Sequence, residues 1–231
     1  MASRPLLNAD ASRPDTFARI QQAAVRLFAA KGFEATGIRE IADQAGVQTS
    51  ALYHYMKSKE DLLLEILVSI LKKLIECAES ALDGVEGPSA ELVSLVRAHV
   101  GLHAYDKLEA LVGDVELRSL KSDGRVQVIA YRDQYEAIWS RVLHEGRESG
   151  EFDVFDEKLA RLALLEMCNG VAHWYSLEGA LSVDSLADAF ADLALGMVRA
   201  NRSGRPLRVA DLGLRPASEI LTNVQVLLAG R

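Results

Sequence analysis

Cysteine is nearly absent: Cys77 and Cys168 are the only two in 231 residues, and each sits in an apolar helical pattern. That excludes a disulfide framework and reads as two reduced packing residues in a cytoplasmic chain. No apolar run approaches the ~18 residues of a membrane span, so no membrane partner is expected. The first residues, broken by Pro5, Asp10 and Pro14, lack the apolar block of a secretory signal. There is no Gly-x-Gly-x-x-Gly, no phosphate-binding P-loop and no Gly-x-Ser-x-Gly elbow, and the Ser and His residues form no local triad. Nothing therefore looks catalytic, and no cofactor is expected. Strand-like alternation of useful length and internal repeats are also missing, which predicts an all-α protein.

What is present is ordinary for a globular chain: 49% apolar and 26% charged residues, enough length for a sizeable core. The net charge of −7 is unevenly divided. Residues 1–60 hold eight Lys or Arg and six Asp or Glu, leaving 18 basic against 27 acidic residues in the remainder. The acidic excess thus lies outside the first quarter, although +2 over sixty residues is no strong basic patch.

Residues 32–63 (GFEATGIREIADQAGVQTSALYHYMKSKEDLL) carry the most information. Ile38, Ile41, Ala42 and Ala45 follow the i, i+3, i+4, i+7 spacing of a buried helical stripe. Gly46-Val47 makes a turn. A second short helix, from Thr49 to about Tyr55, turns Val47, Ala51 and Leu52 inward. It leaves Gln48, Thr49, Ser50, Tyr53 and His54 outside, a polar and aromatic set free of carboxylates. A helix-turn-helix presents such a face to the major groove of DNA. Periodicity alone supports equally a three-helix packing unit with a polar surface.

The residues in this window closely resemble the DNA-binding domain of the TetR family of bacterial one-component regulators. The resemblance rests on Phe33, Thr36, Ile38, Arg39, Glu40, Ile41, Ala42, Ala45, Gly46, Val47, Ser50, Leu52, Tyr53, Tyr55, Lys59, Glu60 and Leu62. Three positions depart from the family pattern: Gly37 for a hydroxyl residue, Gln48 for Ser and Met56 for Phe. Glycine is still an acceptable N-cap, glutamine a poor one. The resemblance implies a DNA face made of Thr36, Arg39, Gln48, Thr49, Ser50, Tyr53, His54, Tyr55 and Lys59. In it Thr36, Tyr53, Tyr55 and Lys59 would hold the phosphate backbone, while Gln48, Thr49, Ser50 and His54 would face base edges. It also implies a homodimer on a pseudo-palindromic operator, because one recognition helix reads too few base pairs.

Around that window the punctuation sets the domain boundaries. Residues 1–13 read as a flexible arm with Arg4 and Arg13. Pro14-Asp15 opens a first helix with Phe17, Ile20, Ala23, Ala24, Leu27 and Phe28 buried, and Lys31-Gly32 closes it. The DNA-binding domain spans 14–58. Ser58 to Asp61 resembles a capping box and starts a connecting helix over 59–82. Residues 59–202 form a ligand-binding and dimerisation domain, with further helices over 89–105, 107–120, 124–149, 156–178 and 183–201. Residues 203–231 are a C-terminal extension with a short helix around Ser218 to Leu228.

Glu109–Leu120, Arg125–Phe152 and the stretch from His173 to Val198 resemble the ligand domain of TetR members in actinobacterial lipid catabolism. The implied partner is a small, largely apolar effector related to a fatty acid, a steroid or an acyl-CoA. A coenzyme A thioester wants Arg or Lys at its entrance, and 156–178 offers only Lys158 and Arg161, so a modestly polar apolar ligand fits as well. His103, Arg118, Tyr135, Trp139, Asn169 and His173 are the expected lining. Leu162, Leu165, Trp174, Leu186, Phe190, Leu193 and Met197 are the expected dimer contacts.

His99 and His103 stand at i, i+4, a spacing able to hold zinc, with Asp106 nearby; the Glu of a His-Glu-x-x-His site is missing, and no metal is expected. Two other classes stay open on the residues alone: a helical metal-binding or enzymatic protein, and an interaction module using the helix-turn-helix face for protein contacts.

Overall fold

The computed structural model describes residues 13–229, and it is helical apart from one minute hairpin. The arm read over residues 1–13 therefore lies outside the described residues except at Arg13, the first residue of α1 (Arg13–Lys31). α2 (Ile38–Ala45) and α3 (Thr49–Leu52) complete the N-terminal unit. α4 (Lys59–Leu82) connects it to the rest. Then follow α5 (Pro88–Tyr105), α6 (Lys107–Val115), a 3-10 turn over Glu116–Ser119 and α7 (Ser122–Glu148). α8 (Glu157–Asn169), α9 (Val171–Trp174) and α10 (Val183–Met197) are succeeded by β1 (Asn201–Arg202), β2 (Arg205–Pro206) and α11 (Ala217–Ala229).

Local chemistry sets the helix ends. Ser58, Asp156 and Ser182 each accept a backbone N–H from three residues on, which satisfies one orphan donor of α4, α8 and α10. α5 opens with Pro88 at its first turn. Between α2 and α3, Gly46 lies in the left-handed region (φ 67°), the conformation a sharp helix-to-helix turn requires.

α5 is the hub. Leu92, Val93, Leu95, Val96, Ala98 and Val100 are all essentially inaccessible, and it packs on α4, α7, α10 and α11. A helix buried all round belongs at the centre of a helical layer. At Gly101 α11 lies close against α5: a Cβ there would run into Leu221. Arg97, 3% exposed, pairs with Asp188 of α10 at 2.6 Å and donates to the Arg215 carbonyl at 2.9 Å, tying the C-terminal segment to the core.

Four helix spans differ from expectation. The 107–120 helix stops at Val115 and tightens into the 3-10 turn. The 156–178 helix breaks at Gly170 and ends at Trp174. The last span ends at Met197, followed by positive-φ Arg199 and the hairpin. α3 is a single turn, with Tyr53–Tyr55 in turn conformation beyond it. The terminal helix expected around Ser218 to Leu228 forms as Ala217–Ala229.

Candidate DNA-binding face and effector cavity

α2 and α3 are held by contacts that leave one face open. Ile41, Ala42, Ala45 and Leu52 are buried against Ile20, Ala24 and Phe28 of α1. The Arg19 guanidinium donates to the carbonyls of Ala45 and, at 3.3 Å, Gly46, fixing the turn between α2 and α3. Glu40 accepts the Gly37 N–H at 2.8 Å and pairs with Lys31 at 2.7 Å, so its carboxyl is held below the usual range. On the open side stand Arg39, Gln48, Ser50, Tyr53 and His54, all exposed, with Thr49 half-buried. These exposed residues form a polar set with no carboxylate among them.

Three expected backbone-contact residues are engaged inside. Thr36 is 2% exposed, and its hydroxyl donates to the Gly32 carbonyl at 2.8 Å, so it offers no surface to a phosphate. Lys59 donates to the carbonyls of Phe33 (2.7 Å) and Thr36 (2.9 Å) and lies over the Phe33 ring. Tyr55 stacks on Phe17 at 5.9 Å between centroids. These residues shape the unit; Tyr53 is the aromatic left free.

Behind α4 lies a cavity of about 610 Å³. Leu67, Ile70, Leu71 and Leu74 of α4, Leu102 of α5, Ala110 and Gly113 of α6, Val128 of α7, and Leu162 and Leu165 of α8 give it apolar walls. Its polar groups gather in two places. At one, His99 Nδ1 meets the Tyr135 hydroxyl at 2.6 Å and His99 Nε2 meets Asn169 Oδ1 at 2.9 Å. The His103 ring stacks on that of His99 with centroids 4.1 Å apart, and its Nδ1 lies 3.0 Å from the His99 carbonyl. Burial pushes the His99 pKa well below its ordinary value and that of His103 down to about 4, so both rings are neutral near pH 7. At the other place Asp114, Arg132, Glu166 and His173 gather. His173 Nε2 is 3.9 Å from Asp114, whose pKa burial raises to about 6, with Glu166 adding to the rise and His173 and Arg132 opposing it.

Sequence models built for known families match both parts of this arrangement. Residues 20–66 match "Bacterial regulatory proteins, tetR family" and residues 85–198 match "Tetracyclin repressor-like, C-terminal domain". A fatty acid metabolism regulator protein of Bacillus subtilis is 31% identical over 146 residues, covering 63% of this chain and 75% of its own. The chain belongs to the TetR family. Another relative in it is the HTH-type transcriptional repressor KstR2 of Mycolicibacterium smegmatis, 28% identical over 188 residues, 80% of this chain and 90% of its own. Among solved structures, a TetR-family regulatory protein from Rhodococcus RHA1 superposes with a TM-score of 0.76 at 31% identity, covering 81% of this chain and 98% of that one.

Within this TetR-family chain the cavity takes in His103, Tyr135, Asn169 and His173 from the expected lining. It does not take in Arg118 or Trp139. Arg118 is exposed on the 3-10 turn, and Trp139 is fully buried behind the wall, edge-on to His99. His99, Asp114, Arg132 and Glu166 line it as well. His99 was legible only as an i, i+4 partner of His103, and Glu166 only as a charge in the middle of the 156–178 helix; nothing in the pattern marked Asp114. Of the expected dimer residues, Leu186 is buried in the core on α10, which packs against α5, and Leu162 and Leu165 line the cavity, Leu162 also standing 45% exposed at the surface. Trp174, Leu193 and Met197 are exposed, and Phe190 stacks on Trp174. Among the described residues no three His, Cys, Asp or Glu side chains converge as metal ligands, and both nitrogens of His99 already have partners.

Proposed function

We propose that this TetR-family regulator binds a palindromic operator as a homodimer, represses transcription there, and is released by a small, largely apolar effector held in the cavity behind α4. The observation that carries the reading is one of connection. α6 forms part of the cavity wall through Ala110, Gly113 and Asp114, and the 3-10 turn that follows it reaches the DNA-binding unit. There Glu116 accepts the Phe33 N–H at 3.0 Å, and Lys121 pairs with Glu60 at the start of α4 at 2.9 Å. A ligand that prefers one placement of α6 biases the placement of the recognition face, and the coupling is limited by that preference, typically ~1–3 kcal/mol.

The cavity volume falls in the range of small-molecule sites, ~300–1,000 Å³, and its walls suit an acyl chain or a fused ring system. The printed name of the Bacillus subtilis relative, a fatty acid metabolism regulator, favours the same class. The exposed stripe of Ala189, Leu193, Gly196 and Met197 on α10, flanked by Trp174 and Phe190, supplies an apolar face for a second copy. A cytoplasmic location follows from the same reading.

Fluorescence anisotropy against labelled DNA from the gene's own upstream region, at two salt concentrations, tests it. Saturable binding well above random DNA, weakening with salt, is expected. Binding indistinguishable from random DNA, unchanged by any apolar probe, would sink it.

A further inference from the structure

The two polar places in the cavity differ in kind, and the difference constrains what the ligand carries. In the inner one His99 is fully used: Tyr135 on one ring nitrogen, Asn169 on the other. His103 is not. Its Nδ1 faces the His99 carbonyl at 3.0 Å, and a carbonyl oxygen only accepts, so that nitrogen carries the proton. In the neutral ring Nε2 then has a lone pair and no proton. Among the described residues no group is placed to donate to it. The ring itself is 3% exposed and contributes to the cavity wall. Its Nδ1 edge is turned back to its own helix, which leaves the distal Nε2 edge for the cavity.

The inner end of the cavity therefore presents the His103 acceptor and no cation; the Asn169 side chain spends its oxygen on His99 and keeps its amide N–H2 as a neutral donor. Tyr135 is committed to His99, and Asn169 holds the other side of that ring. The half-buried cation Arg132 belongs to the second cluster, alongside the carboxylates Asp114 and Glu166. A carboxylate pushed to the inner end would face a lone pair in a nearly dry wall, with no cation to offset its charge.

We infer that the effector is an apolar molecule with an uncharged hydrogen-bond donor, a hydroxyl or an amide N–H, at the end that enters first, and that His103 Nε2 accepts from it. A hydroxylated chain or ring system fits; a free carboxylate entering head-first does not. The inference rests on the cavity being the effector site. It adds specificity because a buried acceptor left unpaired penalises any isostere that cannot donate.

The test uses the full-length protein and three probes of one chain length: dodecan-1-ol, its methyl ether and dodecanoate. Binding is followed by isothermal titration and by tryptophan fluorescence in a Trp174→Phe background, where the signal comes from Trp139, edge-on to His99. The alcohol is expected to bind about tenfold tighter than the ether, roughly the weight of one hydrogen bond to a buried acceptor. In His103→Leu that preference should fall to near unity while ether binding survives. A wild-type protein that binds alcohol and ether equally, or dodecanoate most tightly, overturns the inference and leaves the apolar effector intact. Binding of none of the three overturns both. Because His103→Leu can fail to fold, the imidazole nitrogens of the wild-type protein supply an independent reading. Nitrogen-15 spectra should show His103 protonated at Nδ1 and bare at Nε2, with the Nε2 resonance moving on addition of the alcohol and not of the ether. A protonated Nε2 in the free protein refutes the assignment.

Discussion

The Glu116 carboxylate accepts the backbone N–H of Phe33 at 3.0 Å while 6% exposed, and it joins two parts of the chain 83 residues apart. Ser119 donates to its other oxygen at 2.7 Å, so both ends of the carboxylate are occupied. It is a buried side-chain bond that runs from the end of the cavity wall to the loop after α1. Glu116→Ala leaves a buried N–H orphaned, which should cost about 1–3 kcal/mol in urea unfolding. Glu116→Gln, which still accepts, should cost less. If the bond transmits the effector's preference, Glu116→Ala also shrinks the effector-induced loss of operator affinity, read by anisotropy with and without the ligand.

Gln48 and Tyr53 are exposed on the DNA face, whereas Lys59 is committed to two carbonyls. Gln48→Ala is expected to cost roughly 1–3 kcal/mol against the operator and little against random DNA. Tyr53→Phe should weaken both alike. Lys59→Met, by contrast, should lower the melting temperature of the whole chain through loss of the Phe33 and Thr36 carbonyl contacts. A Lys59→Met protein with unchanged melting but a shallower salt dependence would assign Lys59 to phosphate instead.

Leu193 is 58% exposed and Met197 40%, on an apolar stripe continuous with Trp174. Leu193→Glu places a charge in the centre of that stripe. Sedimentation at micromolar concentration is expected to show a dimer for the wild type and a monomer for the variant, with operator affinity lost alongside. A variant that remains dimeric moves the interface elsewhere.

His99 and His103 are buried neutral, with folded pKa values depressed by desolvation. The unfolded chain binds protons at these sites near pH 6.5, whereas the folded one binds at His103 only towards about pH 4 and at His99 well below the ordinary value. Between those limits the unfolded state holds more protons, so their contribution to stability falls as pH falls. Asp114 works the other way: its raised pKa makes the folded state the better proton binder between about pH 4 and 6. His103→Gln should flatten the acid-side loss, and Asp114→Asn should steepen it. Urea midpoints from pH 4 to 7 for the three proteins check both signs.

The N-terminal unit was legible because its determinants are local. Ile41, Ala42 and Ala45 of the stripe, the turn glycine at 46 and the cap at Ser58 are near neighbours in sequence and behave as their spacing indicates, while Ile38 at the stripe's start is half-buried. Part of the polar cavity lining was also legible, since polar residues on otherwise apolar helices are conspicuous: His103, Tyr135, Asn169 and His173. Which way a helix faces was not. Leu186 and Leu193 look alike in sequence, yet one is buried in the core and the other faces outward. Thr36 and Tyr53 both fit a DNA-contact pattern, yet only Tyr53 is exposed.

The sequence by itself determined an all-helical TetR-family chain, because helix periodicity, capping and turn chemistry act within a few residues. Tertiary structure alone decided that His99 is saturated while His103 keeps a free acceptor, and that Glu116 holds the loop at Phe33. Those outcomes depend on partners 36, 70 and 83 residues away, brought within hydrogen-bond reach only when the helices pack around α5.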